Sequence, residues 1–185
     1  MIDVSDLRRI ARARLRDAEM LLRAGRYDGG VYLCGYAVEI GLKARICKAH
    51  EGAMKELVAK LRSLEQEIAE EKGDFSLFAV FLREDVPNRW DLVVSAAWFG
   101  PNEKSTLDYL VDKIRSRLKE SELLMLSRIV LVSASDPSLK AIHSAVKVEH
   151  GEVEISNSSF FGLLIKQAYI ITSKREQRKQ PSTAS

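Results

Sequence analysis

The chain has 185 residues, 46% of them apolar and 30% charged, with a net charge of +3. That balance fits one large or two small globular domains and excludes a disordered or low-complexity chain, while so small a positive excess does not by itself argue for nucleic acid. The longest apolar run, "VYLCGYAVEIGL" (31 to 42), contains Glu39 and falls short of the roughly 18 residues a membrane span needs, and "MIDVSDLRR" lacks the basic start and apolar stretch of a signal peptide, so export is not expected.

In chain order, Ser5 can cap a first helix in which Leu7, Ile10, Ala11, Leu15, Ala18, Leu21 and Leu22 recur every three or four positions, and Gly25 marks its stop. Seven arginines (8, 9, 12, 14, 16, 23, 26) face four acids within residues 1 to 26, a local excess of three positive charges on this helix. Such a stripe is either a solvated face or the electrostatic footprint of an RNA-binding surface formed by Arg9, Arg12 and Arg16. After the short linker "GRYDGG", residues 31 to 47 are apolar around most of a helix circumference, more than one neighbouring helix can cover. Cys34 and Cys47 lie 13 residues apart in this helix, roughly 20 Å at the helical rise and beyond disulfide reach. They read as small core side chains in a reducing cytoplasm. A third helix is expected from about Met54 to Glu71, with Leu57, Val58, Leu61, Leu64 and Ile68 on one face and Gly73 at its end.

The period then becomes extended. "DFSLFAVFLRE", the turn residues "EDVPN" and "RWDLVVSAAW" predict a hairpin. Residues 103 to 118 return to helical spacing behind a capping Asn102; "SRIVLVSA" (127 to 134) predicts a buried strand; Asp136 and Pro137 open a short helix; "EVEIS" and "QAYIITS" predict two more strands. The stretch "SNSSFFGLLIK" (156 to 166) reads as a packed loop, with its paired phenylalanines a candidate partner contact. The tail from 174 to 185 is polar and expected to be disordered.

Chemistry is sparse in this second part. Glu84, Asp85 and Asp91 are the acids a metal-dependent nuclease would need, but no lysine follows at strand spacing. His143, Glu149 and His150 lack metal-ligand spacing and read as surface residues, so neither a metal nor a cofactor is expected. Glu39 stands four residues before Lys43, the spacing of a helix-face ion pair.

The stretch "RLRDAEMLLRAGRYDGGVYLCGYAVEIGLKARICKAH" (14 to 50) resembles the first two helices of the HEPN superfamily, helical-bundle domains of prokaryotic toxin-antitoxin and antiviral systems. Periodicity gives a third helix and an α/β domain (53–173) whose sheet of about five strands is mostly antiparallel or mixed, an α+β chain to which the resemblance, over about the first 50 residues, adds a HEPN-like hairpin (1–52). The resemblance further implies a homodimer in contact with RNA, an antitoxin or another protein, and no membrane partner. In competent members it implies metal-independent endoribonuclease activity from an arginine and a histidine four to six residues on, which map to Arg45 and His50. The histidine would move a proton and the guanidinium would hold phosphoryl charge. Glu39 would orient the arginine or contact a nucleotide. The chain departs from the nuclease pattern at Ile46, where a polar residue is common. Geometry adds a condition: five helical residues turn about 500°, equivalent to about 140°, and rise about 7.5 Å. Either the helix breaks near Gly52, or each site combines Arg45 and His50 from two protomers. The rival function is a non-catalytic dimerisation and partner-recruiting module.

Overall fold

A computed structural model describes residues 3–86 and 89–175. Pro87 and Asn88 of the expected turn, and the expected tail from residue 176 on, lie outside them. Two compact units divide the chain, one up to Glu56 and one from Leu57 on. In order, the elements are α1 (Val4–Arg23), α2 (Tyr27–Lys72), β1 (Phe75–Arg83), β2 (Trp90–Ala96), α3 (Glu103–Arg117), α4 (Glu120–Leu123), β3 (Leu126–Leu131), α5 (Pro137–Ala145), β4 (Val153–Phe160) and β5 (Leu163–Ser173). The class is α+β: a helical N-terminal region followed by a five-stranded mixed sheet with helices.

In the first unit, α1 begins at Val4, two residues before a helix capped by Ser5 would begin. Asp3 is the cap, accepting 2.8 Å from the Asp6 N–H, and this bond holds its carboxyl below the usual carboxylate range. The helix stops at Gly25, whose φ of 72° suits the left-handed residue that lets Arg26 N–H bond back to the Leu21 carbonyl at 2.9 Å. Helices α1 and α2 then approach closely at Gly30, where a β-carbon would stand 2.6 Å from Leu22 Cγ. Few residues of this unit are buried: Ala18 on α1, and Ala37, Ile40 and Ala44 in a stripe on α2. Tyr27, Val31, Tyr32, Val38, Leu42 and Ile46 remain exposed, because one narrow helix covers only part of a helix that is apolar on several sides.

Residues 54–71 are helical as expected, but they continue α2 and do not begin a third helix. Gly52 fails to break the chain for a simple reason. Its φ is not positive, no proline is nearby, and alanines, lysines and glutamates surround it. A single interior glycine costs about 1 kcal/mol relative to alanine, too little to outweigh good helix formers on both sides.

The second unit is built on a sheet of order β3-β2-β1-β5-β4, antiparallel throughout except for the parallel pair β2 and β3. Strands β1 and β2 are buried on both faces, which their continuous apolar runs require. One face gathers Leu77, Ala79, Val93 and Ile170 under Leu139 and Ile142 of α5. The other packs beneath the second half of α2, whose Leu57, Leu61, Leu64 and Ile68 are fully buried. Helix α3 is tied to the same part of α2 by Lys113, which stands 3.2 Å from Glu67 and 2.6 Å from Glu71, and by the Arg117–Glu67 pair. These contacts hold Glu67 and Glu71 below, and Lys113 above, their ordinary ranges.

Three expectations need correcting. Strand β3 lies at the sheet edge and is only partly buried, because a strand with one neighbour has no second strand to cover it. The short helix α4 was missed, since four residues are too few to show a period. Residues 156–166 are no loop: they form most of the β4–β5 hairpin, whose connecting residues Phe161 and Gly162 have φ of 53° and 71°.

Because α2 runs unbroken through Gly52, and a β-carbon there meets nothing within 4 Å, Gly52→Ala should raise stability by up to about 1 kcal/mol. Urea unfolding followed by circular dichroism measures this. A loss of stability would mean that the glycine serves as a hinge.

Candidate nucleic-acid interface

The helical spacing of Arg8, Arg9, Arg12 and Arg16 puts these residues along one side of α1. Together with Lys48 and Glu51 of α2, they line an open groove of about 980 Å³. All five cationic side chains are exposed. Arg9 stands 2.9 Å from Asp6, a surface pair in which the arginine side chain keeps 75% of its exposure and which holds it only weakly. Among the described residues, Arg8, Arg12, Arg16 and Lys48 enter no ion pair. Five cations against Glu51 leave a groove wall with a strong positive excess and an apolar floor at Val4 and Leu15. Chemically, this arrangement suits a phosphate backbone more than any single small anion, because the charges are spread in a row along a helix.

Three of the expected contact residues, Arg9, Arg12 and Arg16, thus come together, joined by Arg8 and Lys48. Lys48 was missed because it lies on the second helix, and only packing shows which stripe of α2 faces α1. The remaining expected residues behave differently. Arg45 is exposed and lies one turn before Lys48 on the same side of α2, whereas His50 is half-buried and lies about 140° around the helix from Arg45. The unbroken helix removes the route in which a break near Gly52 brings the two together. Within one protomer they cannot address the same phosphate. Glu39 bonds Lys43 at 2.6 Å, both side chains more than half exposed, and this bond raises the Lys43 pKa.

Polar clusters in the second unit escaped the sequence reading. His143 is buried, its Nε2–H donating 2.9 Å to the Ser76 carbonyl, and His150 is half-buried, so neither is the surface residue expected. His150 Nδ1 lies 2.7 Å from Oε2 of Glu65, a fully buried carboxylate whose Oε1 accepts from Thr172 Oγ at 2.9 Å. No local signal marks that network, because Glu65 lies 85 and 107 residues from its partners. Asp91 is held by Arg83 and Arg128. Among the described residues, no group of three or more His, Cys, Asp or Glu side chains could hold a metal ion, and no helix is long and apolar enough to cross a membrane.

Residues 4–86 match the family model of the HEPN domain. The N-terminal part of the chain is a HEPN domain. Its extent exceeds the roughly 50 residues on which the resemblance rested and reaches through β1. HEPN domains serve nucleotide- or RNA-related roles, often in toxin or defence systems, and commonly dimerise. Comparison with curated proteins and with solved structures returns no match.

The Glu39–Lys43 geometry generates a direct check. If the pair only braces the helix surface, Glu39→Gln should lower stability by no more than about 0.5 kcal/mol and leave RNA affinity unchanged. An affinity loss without a stability change would assign Glu39 to the interface.

Proposed function

We propose that this HEPN protein is an RNA- or nucleotide-directed component of a prokaryotic defence or toxin-antitoxin system, acting in the cytoplasm, and that RNA lies along the α1 groove. The observation that carries this reading is the convergence of Arg8, Arg9, Arg12, Arg16 and Lys48 on one open surface. Fluorescence anisotropy with single-stranded and hairpin RNA tests it. Replacing Arg9, Arg12 and Arg16 together with Gln should weaken binding at low salt and reduce the salt slope by about 2, since each phosphate contact on a single strand contributes about 0.7. Unchanged affinity and slope would return the stripe to an ordinary solvated face.

Catalysis, where it occurs, requires a homodimer. Arg45 and His50 on one straight helix diverge by about 140°, so an active site must take Arg45 from one protomer and His50 from the other. The RNA 2'-hydroxyl would be the nucleophile, losing its proton to the imidazole, while Arg45 holds the charge that builds on the phosphoryl oxygens. Arg45→Ala and His50→Ala should each slow cleavage about a hundredfold. Mixing the two inactive variants should restore part of the activity, because half of the mixed dimer's composite sites are intact. Products should end in a 2',3'-cyclic phosphate and form in EDTA. Failure of the mixture to recover activity, with each single variant still dimeric, would rule out the shared site.

The exposed apolar residues of α2 favour a second reading, a non-catalytic module that dimerises and recruits an antitoxin or other protein partner. A wild-type dimer that neither binds nor cleaves RNA leaves that reading standing.

A further inference from the structure

The positive groove of α1 and α2 has one member of the opposite charge. Five cations line it, four arginines of α1 and Lys48 of α2, and Glu51 lines it with them. Glu51 stands three residues after Lys48, one turn further along the same side of an unbroken helix. It is exposed, and among the described residues its carboxylate makes no hydrogen bond and no ion pair, neither with Lys48 nor with Lys55 four residues on. The groove therefore presents a free carboxylate beside the cations that would hold phosphates.

A carboxylate in that position has two effects of opposite sign. Against phosphates it is a like charge, which weakens the hold of the groove on any nucleic acid that the arginines attract. Being ionised, it can only accept hydrogen bonds, so it gains wherever the ligand offers a donor. Phosphate and sugar-ring oxygens are acceptors only. The one donor that a nucleic-acid backbone carries is the ribose 2'-hydroxyl, present in RNA and lacking in DNA. A hydroxyl donating to a carboxylate makes a charge-assisted bond, shorter and about twice as strong as a neutral one. The other polar groups of the groove do not draw this distinction. Guanidinium and ammonium groups are donors only, so phosphates of either backbone satisfy them, and the Ser5 hydroxyl donates to Asp3 at 2.7 Å.

We propose that Glu51 is the residue by which the groove selects an RNA backbone over a DNA one, a role that rests on RNA lying in this groove and concerns binding, not cleavage. It accepts a hydrogen bond from a 2'-hydroxyl and repels a backbone that has no hydroxyl to give. Discrimination of this kind joins an attraction for one ligand to a repulsion of its competitor, here at a single carboxylate.

Fluorescence anisotropy of the full chain at low salt tests it, with three labelled oligomers of one uracil-containing sequence: RNA, its 2'-O-methyl form and the deoxyribose form. The methylated oligomer keeps the ribose and loses the donor, which separates hydrogen bonding from backbone shape. Wild-type protein should hold RNA at least about tenfold more tightly than either of the others, the scale of one charge-assisted hydrogen bond. Glu51→Ala should strengthen binding of the deoxyribose and methylated oligomers and abolish the preference. Glu51→Gln, which keeps an acceptor without the charge, should also strengthen deoxyribose binding and retain part of the preference. Both replacements are good helix formers at an exposed position, and circular dichroism checks that helix content is unchanged. Equal binding of the three oligomers by wild-type protein, or a preference that survives Glu51→Ala, would overturn the role of Glu51. The RNA reading of the groove would then still stand if replacing Arg9, Arg12 and Arg16 weakened all three oligomers alike. A wild-type protein that binds none of them overturns both.

Discussion

The continuous hydrogen-bond ladder of α2 governs what this protein can do. A helix fixes the angle between any two of its residues, and nothing interrupts this one between Tyr27 and Lys72. Arg45 and His50 are therefore held on different sides of the rod, and Arg45 shares its side with Lys48. The same rule spaces Ala37, Ile40 and Ala44 into the seam that receives α1, and Leu57, Leu61, Leu64 and Ile68 into the face buried in the second unit. One regular element thus sets the direction of the candidate chemistry and supplies apolar surface to both units.

The two units use polar groups in opposite ways. In the first, cations remain at the surface, where pairing is weak and charge stays available to a long polyanion. In the second, charge is drawn inward and matched: Glu65 takes His150 and Thr172, and Asp91 takes Arg128. A buried carboxylate without such partners would cost several kcal/mol, so these networks are conditions of folding as much as candidate chemistry. Arg83 follows the same pattern through ion pairs, 3.2 Å from Asp91 and 3.5 Å from Asp85, although its buried Nε makes no well-aligned hydrogen bond among the described residues.

Seams built from small residues bring helices close but bury little area. The alanines and Gly30 of the first unit let α1 and α2 approach, leaving tyrosines and branched apolar residues of α2 outside. An exposed surface of that kind fits the dimerisation common in HEPN domains. The run "VYLCGYAVEIGL" accordingly has no clear polar side: it is apolar on several faces, and much of that apolar surface stays exposed.

Much of the secondary structure was legible because it is a local property. Period 3.6 marks α1 and α3, continuous β-branched and aromatic runs mark β1 and β2, Asn102 and Asp136 act as caps, and Pro137 takes the first turn of α5. The arginine stripe was legible for the same reason. The helix continuity at Gly52 was misread because a lone glycine is a weak breaker whose outcome depends on its neighbours. The β4–β5 hairpin was misread because a phenylalanine in the left-handed region is chosen against local preference. What only the tertiary structure decided was which distant groups meet: Lys48 beside the α1 arginines, and Glu65 beside His150. Sequence spacing carries the direction of a side chain within its own element, but the partner across an interface is selected by packing of the whole chain, and no periodicity records it.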